Sequence, residues 1–331
     1  MWQAGFLLAL LAAMIGGLCL GRLRIPAASV MTILLGKLGG SSASLNLDEK
    51  IVLLVRAPRV LVAALSGAGL AMCGAALQGI FRNPLVSPQI LGISGGAAFG
   101  GAAAILIGWS GYALIGSAFL FGMLALALVG FIARVDGRTD QMVIVLAGIV
   151  IGALFTALVS LIEFVADPDT SLPAIVVWLM GSFALVTWQR ALLAAPIILF
   201  ASAGLFLLRF RVNVLSMGDD EARSFGVEVE RDKWIIFTLV GLLTGAVIAV
   251  AGIVGWVGLV IPHAARLLIG PDNRDLLPAS ALLGGTYLVI IDTLARTLTP
   301  AEIPLGVLTA IVGAPVFALL LRNVFMRRQR S

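Results

Sequence analysis

This sequence is poor in the side chains that do chemistry in water. One histidine, two cysteines and two tyrosines occur among 331 residues, and charged residues make up only 12%. The lone histidine, His263, rules out a His-Glu-x-x-His zinc pair, and no His or Met cluster suggests bare metal coordination. No Gly-x-x-x-x-Gly-Lys-Ser/Thr phosphate loop is present, so the chain does not bind ATP in the usual way. His263 follows Pro262 and reads as a structural hydrogen-bonding group rather than a base or ligand. Cys19 and Cys73 lie in apolar runs, where a free cysteine acts as a small buried hydrophobe. Catalysis within the chain is unsupported. There is also no hydrophilic domain, linker or low-complexity tract, so residues 1–331 read as one membrane domain.

What fills the sequence is apolar. Hydrophobic residues make up 60% and the mean hydropathy is +1.10, the signature of a polytopic, all-α membrane protein. Residues 1–21, 60–81, 141–162, 191–208, 276–291 and 303–321 are uncharged runs, each suited to one crossing at roughly 20 residues per span. Residues 83–133 carry no charge and form two spans joined near Trp109 to Gly111. Residues 234–265 are charge-free too, too long for one upright helix and too short for two full ones. They read as a full span and a shorter one, broken between Gly252 and Gly258. That makes about ten spans. The start has no charged leader region or clear cleavage site, so 1–21 reads as a retained span.

Residues 170–189 are harder to place. Pro173 and the Gly181-Ser182 pair interrupt an apolar stretch that either spans or lies at the boundary, with Trp178 and Trp188 at the interface. With ten spans both termini are cytoplasmic, and 14 Lys/Arg fall inside against 8 outside. The first half alone breaks the positive-inside rule, so charge counting leaves the parity open. The net charge of +5 suits a lipid headgroup surface and needs no nucleic acid.

Two halves of five spans each would be inverted relative to one another, because five is odd. A faint echo between 67–74 and 241–252, both small-residue stretches ending in glycine, agrees with this. Glycines spaced by four, as at Gly92, Gly96 and Gly100, point to close helix packing. An ion-coupled secondary transporter would need ionisable groups near the midplane. The candidates, Glu163 and Asp292, fall near span ends, and Asp292 lies four residues before Arg296, the spacing of a helical ion pair.

The one dense charged stretch is 209–233, which holds eleven of the 39 charged residues with both signs mixed. Such a patch in a membrane protein points to a soluble partner resting on it. Asp219, Asp220 and Glu221 look like the first turn of a helix, where acids complement the macrodipole. Gly218 and Gly226 bracket that unit as cap and turn.

Five blocks together resemble a known family. They are Arg56 to Arg59 leading into Gly67 to Gly79; Phe81 to Pro88 followed by Leu91 to Gly96; Gly218 to Val227; Gly255 to Arg266 continuing to Pro278; and Asp292 to Arg296 with Ala301 to Gly306 and Gly313 to Pro315. In order and spacing they are similar to the FecCD-like permeases of type II, binding-protein-dependent ABC importers for iron-siderophores, haem and cobalamin. The resemblance implies ten spans, a short extra outer helix after the fifth, both termini cytoplasmic and an inner-membrane homodimer. It implies that ATP and Mg belong to two separate ATPase subunits, so the chain itself carries no cofactor.

By the same resemblance, Arg56, Arg59 and Arg296 are outer rim charges, outside the core, that receive acidic residues of a substrate-binding protein. Rim charges of this kind give steering and register. The stretch about 212–230, with Gly218, Asp219, Asp220, Glu221, Ala222, Arg223 and Gly226, becomes the coupling region that docks on the ATPase. Arg223 is the better contact candidate there, and a capping role for the acids is as good as a contact role. The segment 162–188 most resembles a subgroup that includes a molybdate/tungstate permease. The expected cargo is an iron chelate, siderophore or haem, ahead of cobalamin, with molybdate or tungstate as the alternative.

Overall fold

The computed structural model describes residues 2–38, 45–135 and 138–328. Helices α1 (Trp2–Cys19), α2 (Ala27–Leu38) and α3 (Leu47–Lys50) lead through a π-helical segment (Ile51–Arg56) into α4 (Ala57–Ile80). There follow α5 (Ile93–Leu106), α6 (Gly111–Ala133), α7 (Gln141–Val165), α8 (Ser171–Leu179) and α9 (Trp188–Leu207). The chain continues through α10 (Arg209–Leu215), α11 (Asp219–Ser224), α12 (Val229–Ala251), α13 (Val257–Ile269), α14 (Asn273–Ala295) and α15 (Leu305–Arg328). Apart from a two-residue strand pair after α6, regular structure among the described residues is helical.

Seven of these helices are long and apolar enough to cross a membrane, and α5, α13 and α15 are among the shorter apolar ones. Each of the ten expected spans has its helix. The break inside 83–133 falls at Gly108 to Ser110, and that inside 234–265 at Gly252 to Trp256. The extra helix after the fifth span is α8. Helix α2 lies outside the ten expected spans.

The core is built on α4 and α12. In these two, 83% and 78% of the most apolar 18-residue stretch is buried, far more than in α1, α6, α7 or α9. They are the pair that carried the small-residue echo in the sequence. Glycine lets α4 approach its neighbours at backbone distance. A Cβ on Gly67 would strike the carbonyl of Gly284 in α14, one on Gly284 would strike that of Gly67, and one on Gly74 would strike that of Gly258 in α13. Without a hydrophobic drive between helices in lipid, such contact is what holds a bundle together.

The loop after α8 knits the break to the last helix. The Ser182 amide donates to Ala251 O at the end of α12 (2.7 Å), while the Leu305 and Gly306 amides at the start of α15 donate to Gly181 O and Met180 O (2.9 Å each). Trp256, at φ 68°, takes a left-handed conformation unusual for a bulky residue, and its side chain lies where any side chain on Gly313 of α15 would have to go.

Candidate functional site

The charged groups gather at two opposite ends of the bundle, joined by α14. Asn273 begins that helix beside α10, where its amide donates to Asn213 Oδ1 (2.9 Å). Asp292 lies near its other end, 19 residues on, or about 28 Å along a helix at 1.5 Å per residue. Asp272 caps the start of α14, and the Arg274 guanidinium hydrogen-bonded to it holds its carboxyl below the usual carboxylate range.

At the Asp292 end the three expected arginines do come together, but not as a solvated rim. Arg56, Arg59 and Arg296 are 4%, 6% and 6% exposed. The reason lies in their partners. Helix α1 ends here, and the last carbonyls of any helix lack intrahelical donors. Arg56 donates to Leu18 O (2.7 Å) and Cys19 O (3.0 Å) and also to Leu23 O, and Arg296 donates to Gly17 O. Arg59 is held by two carboxylates. Its Nε donates to both oxygens of Asp292 (2.9 and 3.0 Å), and its two Nη groups grip Glu302 in a fork (3.0 and 2.9 Å).

Asp292 is 1% exposed and also pairs with Arg296 at 3.7 Å, the i,i+4 pair read from the sequence. A buried carboxylate with two arginines is a structural ion cluster. Glu163, the other candidate for ion coupling, is half-buried one turn from the end of α7, with no salt bridge among the described residues. A cleft of about 180 Å³ opens onto the cluster, with Arg22, Arg56, Arg59, Arg296 and Glu302 in its lining. Four guanidinium groups face one partly exposed carboxylate there. Arg22 and Glu302 are not among the expected site residues; their place beside the arginines becomes visible only once the α14–α15 loop folds back over α1 and α4.

At the other end, α11 is a six-residue helix with Asp219, Asp220 and Glu221 in its first turn and Gly218 as its N-cap at φ 140°. Gly226 ends the unit at φ 77°. Both glycines thus occupy conformations that favour glycine, as expected of cap and turn. Ala222 is buried and pins the helix to the bundle. Eight of the eleven charges fall into two groups. Asp232 (1% exposed) and Lys233 (fully buried) belong to α12 and reach back, to Arg211 of α10 at 2.6 Å and to Asp219 of α11 at 2.7 Å. These two bridges fix α10 and α11 to the first turn of α12. Arg223, Asp220, Glu228 and Arg231 are exposed and pair only locally, Arg223 with Asp220 (2.8 Å) and Arg231 with Glu228 (3.3 Å). Of the expected coupling residues, Asp219 and Ala222 are therefore anchors, whereas Asp220 and Arg223 are presented outward.

His263 is buried in α13 with an edge contact to Phe317 of α15, its ring nitrogens without hydrogen-bond partners. No group of three or more His, Cys, Asp or Glu side chains among the described residues could hold a metal ion.

The model of the FecCD transport family matches residues 8–323. The chain belongs to that family. It is 41% identical over 319 residues to the molybdate import system permease protein of Haemophilus influenzae, covering 96% of this chain and 94% of the relative. It is 42% identical over 286 residues to the hemin transport system permease protein of Yersinia pestis, covering 84% of each. Among solved structures it is similar to a chain of an ABC transporter of metal-chelate type in an inward-facing conformation. The TM-score is 0.87 at 39% identity, over 97% of this chain and 98% of that one. The protein is thus a multi-pass transport permease of an ABC importer for a metal chelate or related substrate, and not an enzyme. Nucleotide binding in such importers belongs to a separate ATPase.

Proposed function

We propose that two copies of this single membrane domain form the translocation pathway of a binding-protein-dependent, ATP-driven importer. Both termini are cytoplasmic in this reading, which puts the α11 end inside the cell and the Asp292 end outside. The observation that carries it is the construction of α11. A short helix is bolted by Lys233–Asp219 to the deeply buried α12 while Asp220 and Arg223 stay exposed. A partner that moves α11 moves α12 with it. The partner is an ATPase subunit, one per copy, docking on the unit from Gly218 to Gly226. The second copy packs against α15, which rests chiefly on α13 and α14 and leaves Val307, Ile311 and Leu319 exposed.

At the outer end the cleft over Arg56, Arg59 and Arg296 takes an acidic side chain of a substrate-binding protein. Its excess of guanidinium groups supports this. The burial of the three arginines makes them the floor of that contact. The cargo is a metal chelate, an iron-siderophore or haem ahead of cobalamin. No cluster among the described residues would bind a bare metal, and in this reading the binding protein does the selecting. Molybdate or tungstate is the second reading, favoured by the 41% identity over 96% of the chain to a molybdate permease.

Purified alone, the chain is expected to show no ATP hydrolysis above background. Hydrolysis should appear on adding the ATPase subunit, and robust activity from a clean preparation of the chain by itself would refute the assignment. The ligand retained by the binding protein isolated from cells decides the cargo: a ferric chelate supports the first reading, a tetrahedral oxyanion the second.

A further inference from the structure

A groove of about 870 Å³ runs along α12 towards the α11 end, between α6 and α9. Its wall is apolar, with Phe200 of α9 standing 67% exposed beside Leu239 and Leu242 of α12. Its mouth is charged, lined by Arg134 at the end of α6, Arg223, Glu228, Glu230 and Arg231. From Arg231 to Leu242 is eleven residues, about 16 Å along the helix, close to one leaflet of a hydrocarbon core about 30 Å thick. The walls belong to membrane-crossing helices, so an apolar channel of this length has the dimensions of one lipid chain.

The charges at the mouth are specific in what they leave over. Arg223 pairs with Asp220 and Arg231 with Glu228. That leaves one cation and one carboxylate. Arg134 is exposed and has no ion pair among the described residues, and Glu230 has a buried Oε2 with no hydrogen-bond partner. A carboxylate oxygen can only accept, so it calls for an N–H or O–H donor, and a positively charged one gains most.

We infer that this groove binds a phospholipid with a primary-amine headgroup of the phosphoethanolamine type. The phosphate lies on Arg134, the ammonium donates to Glu230, and an acyl chain follows Phe200, Leu239 and Leu242. A choline headgroup carries the cation but no N–H donor. A glycerol headgroup carries donors but no cation. Of the three, only the ammonium brings Glu230 both a positive charge and an N–H donor, while the phosphate common to all three meets Arg134. The site adjoins Arg223 of α11, so a bound lipid stands beside the helix through which the partner acts.

Trp234 lines the groove, edge-on to Phe237 and close to Gly130, and serves as the reporter. The full chain is placed in phosphatidylcholine vesicles containing a minor fraction of brominated phosphatidylethanolamine, phosphatidylglycerol or phosphatidylcholine. Subtracting the signal of Trp234→Phe isolates this one of six tryptophans. Half-maximal quenching by the ethanolamine lipid is expected at about a tenfold lower fraction than by the other two, the worth of one charge-assisted hydrogen bond. Glu230→Gln should abolish that advantage, and Arg134→Gln should weaken the ethanolamine and glycerol lipids alike. Equal quenching by all three lipids, an advantage that survives Glu230→Gln, or no component lost in Trp234→Phe because protein covers the groove would each overturn the site. Native mass spectrometry probes the same site without the tryptophan variant. Ethanolamine-lipid adducts retained by the wild type and lost in Glu230→Gln support the site; identical adducts on both proteins refute it.

Discussion

The two charged ends of this bundle differ in construction. At the Asp292 end, Arg56, Arg59, Arg296 and Asp292 are all buried, held by one another, by Glu302 and by backbone carbonyls at and just beyond the end of α1. At the α11 end the charges split, with Asp232 and Lys233 buried as anchors and Arg223 and Asp220 turned outward. Buried charge in a membrane protein is costly and persists only when paired. One end therefore commits its charge to architecture and leaves only a small cleft open. The other uses two bridges for rigidity and leaves the rest exposed.

The contrast between the ends orders the expected effects of mutation. Arg59→Ala should be the most damaging, because it leaves buried Asp292 with only the 3.7 Å contact to Arg296 and takes the guanidinium fork from Glu302. Removing one partner of a buried pair costs about 3–5 kcal/mol, so thermal unfolding in detergent should fall sharply or the protein should fail to accumulate. Near-normal melting would mean the cluster is not structural. Asp219→Asn comes next. It leaves Lys233 fully buried without its carboxylate but can still accept a hydrogen bond, and Asp219 itself is partly exposed, so a loss of about 1–3 kcal/mol is expected. Lys233→Met, which removes the buried charge as well, should be milder than Asp219→Asn in stability yet equally impaired in transport. If it is wild-type in transport, the bridge does not transmit motion.

Smaller still is Asp272→Ala, which removes a helix cap and the Arg274 pair and should cost about 1 kcal/mol. The carboxyl titrates below its ordinary value in the fold. Its contribution is thus present above the ordinary carboxylate range and disappears as pH falls through the depressed value. A variant whose deficit persists unchanged at acid pH would contradict that assignment.

Much of this was legible in the residues. Uncharged runs placed the ten spans, and glycines at Gly218 and Gly226 marked the ends of α11, because both cues are local. The same holds for the i,i+4 pair of Asp292 and Arg296. What escaped was everything that depends on distant segments meeting. Nothing near Arg59 in sequence reveals Glu302, 243 positions away, as its partner, and so burial of the arginines could not be read. Asp219 and Lys233 are 14 residues apart across a turn, and only their meeting shows that one of three neighbouring acids is an anchor. Helix α2, at 12 residues with Lys37 inside it, is too short to show as a span in the pattern of uncharged runs.

If α11 is an outward contact on a rigid mount, a single charge reversal should separate contact from mount. Arg223→Glu reverses an exposed charge without touching Lys233–Asp219, so its effect on stability should stay within about 0.5 kcal/mol. The measurement is substrate uptake into vesicles containing the assembled importer, with the amount of bound ATPase subunit determined in the same preparation. The expected result is a chain that inserts, purifies and dimerises normally while uptake falls by about tenfold, as a like-charge clash of more than about 1.4 kcal/mol at a docking surface requires. Wild-type uptake with the ATPase still bound would show that the patch is only a solvated face.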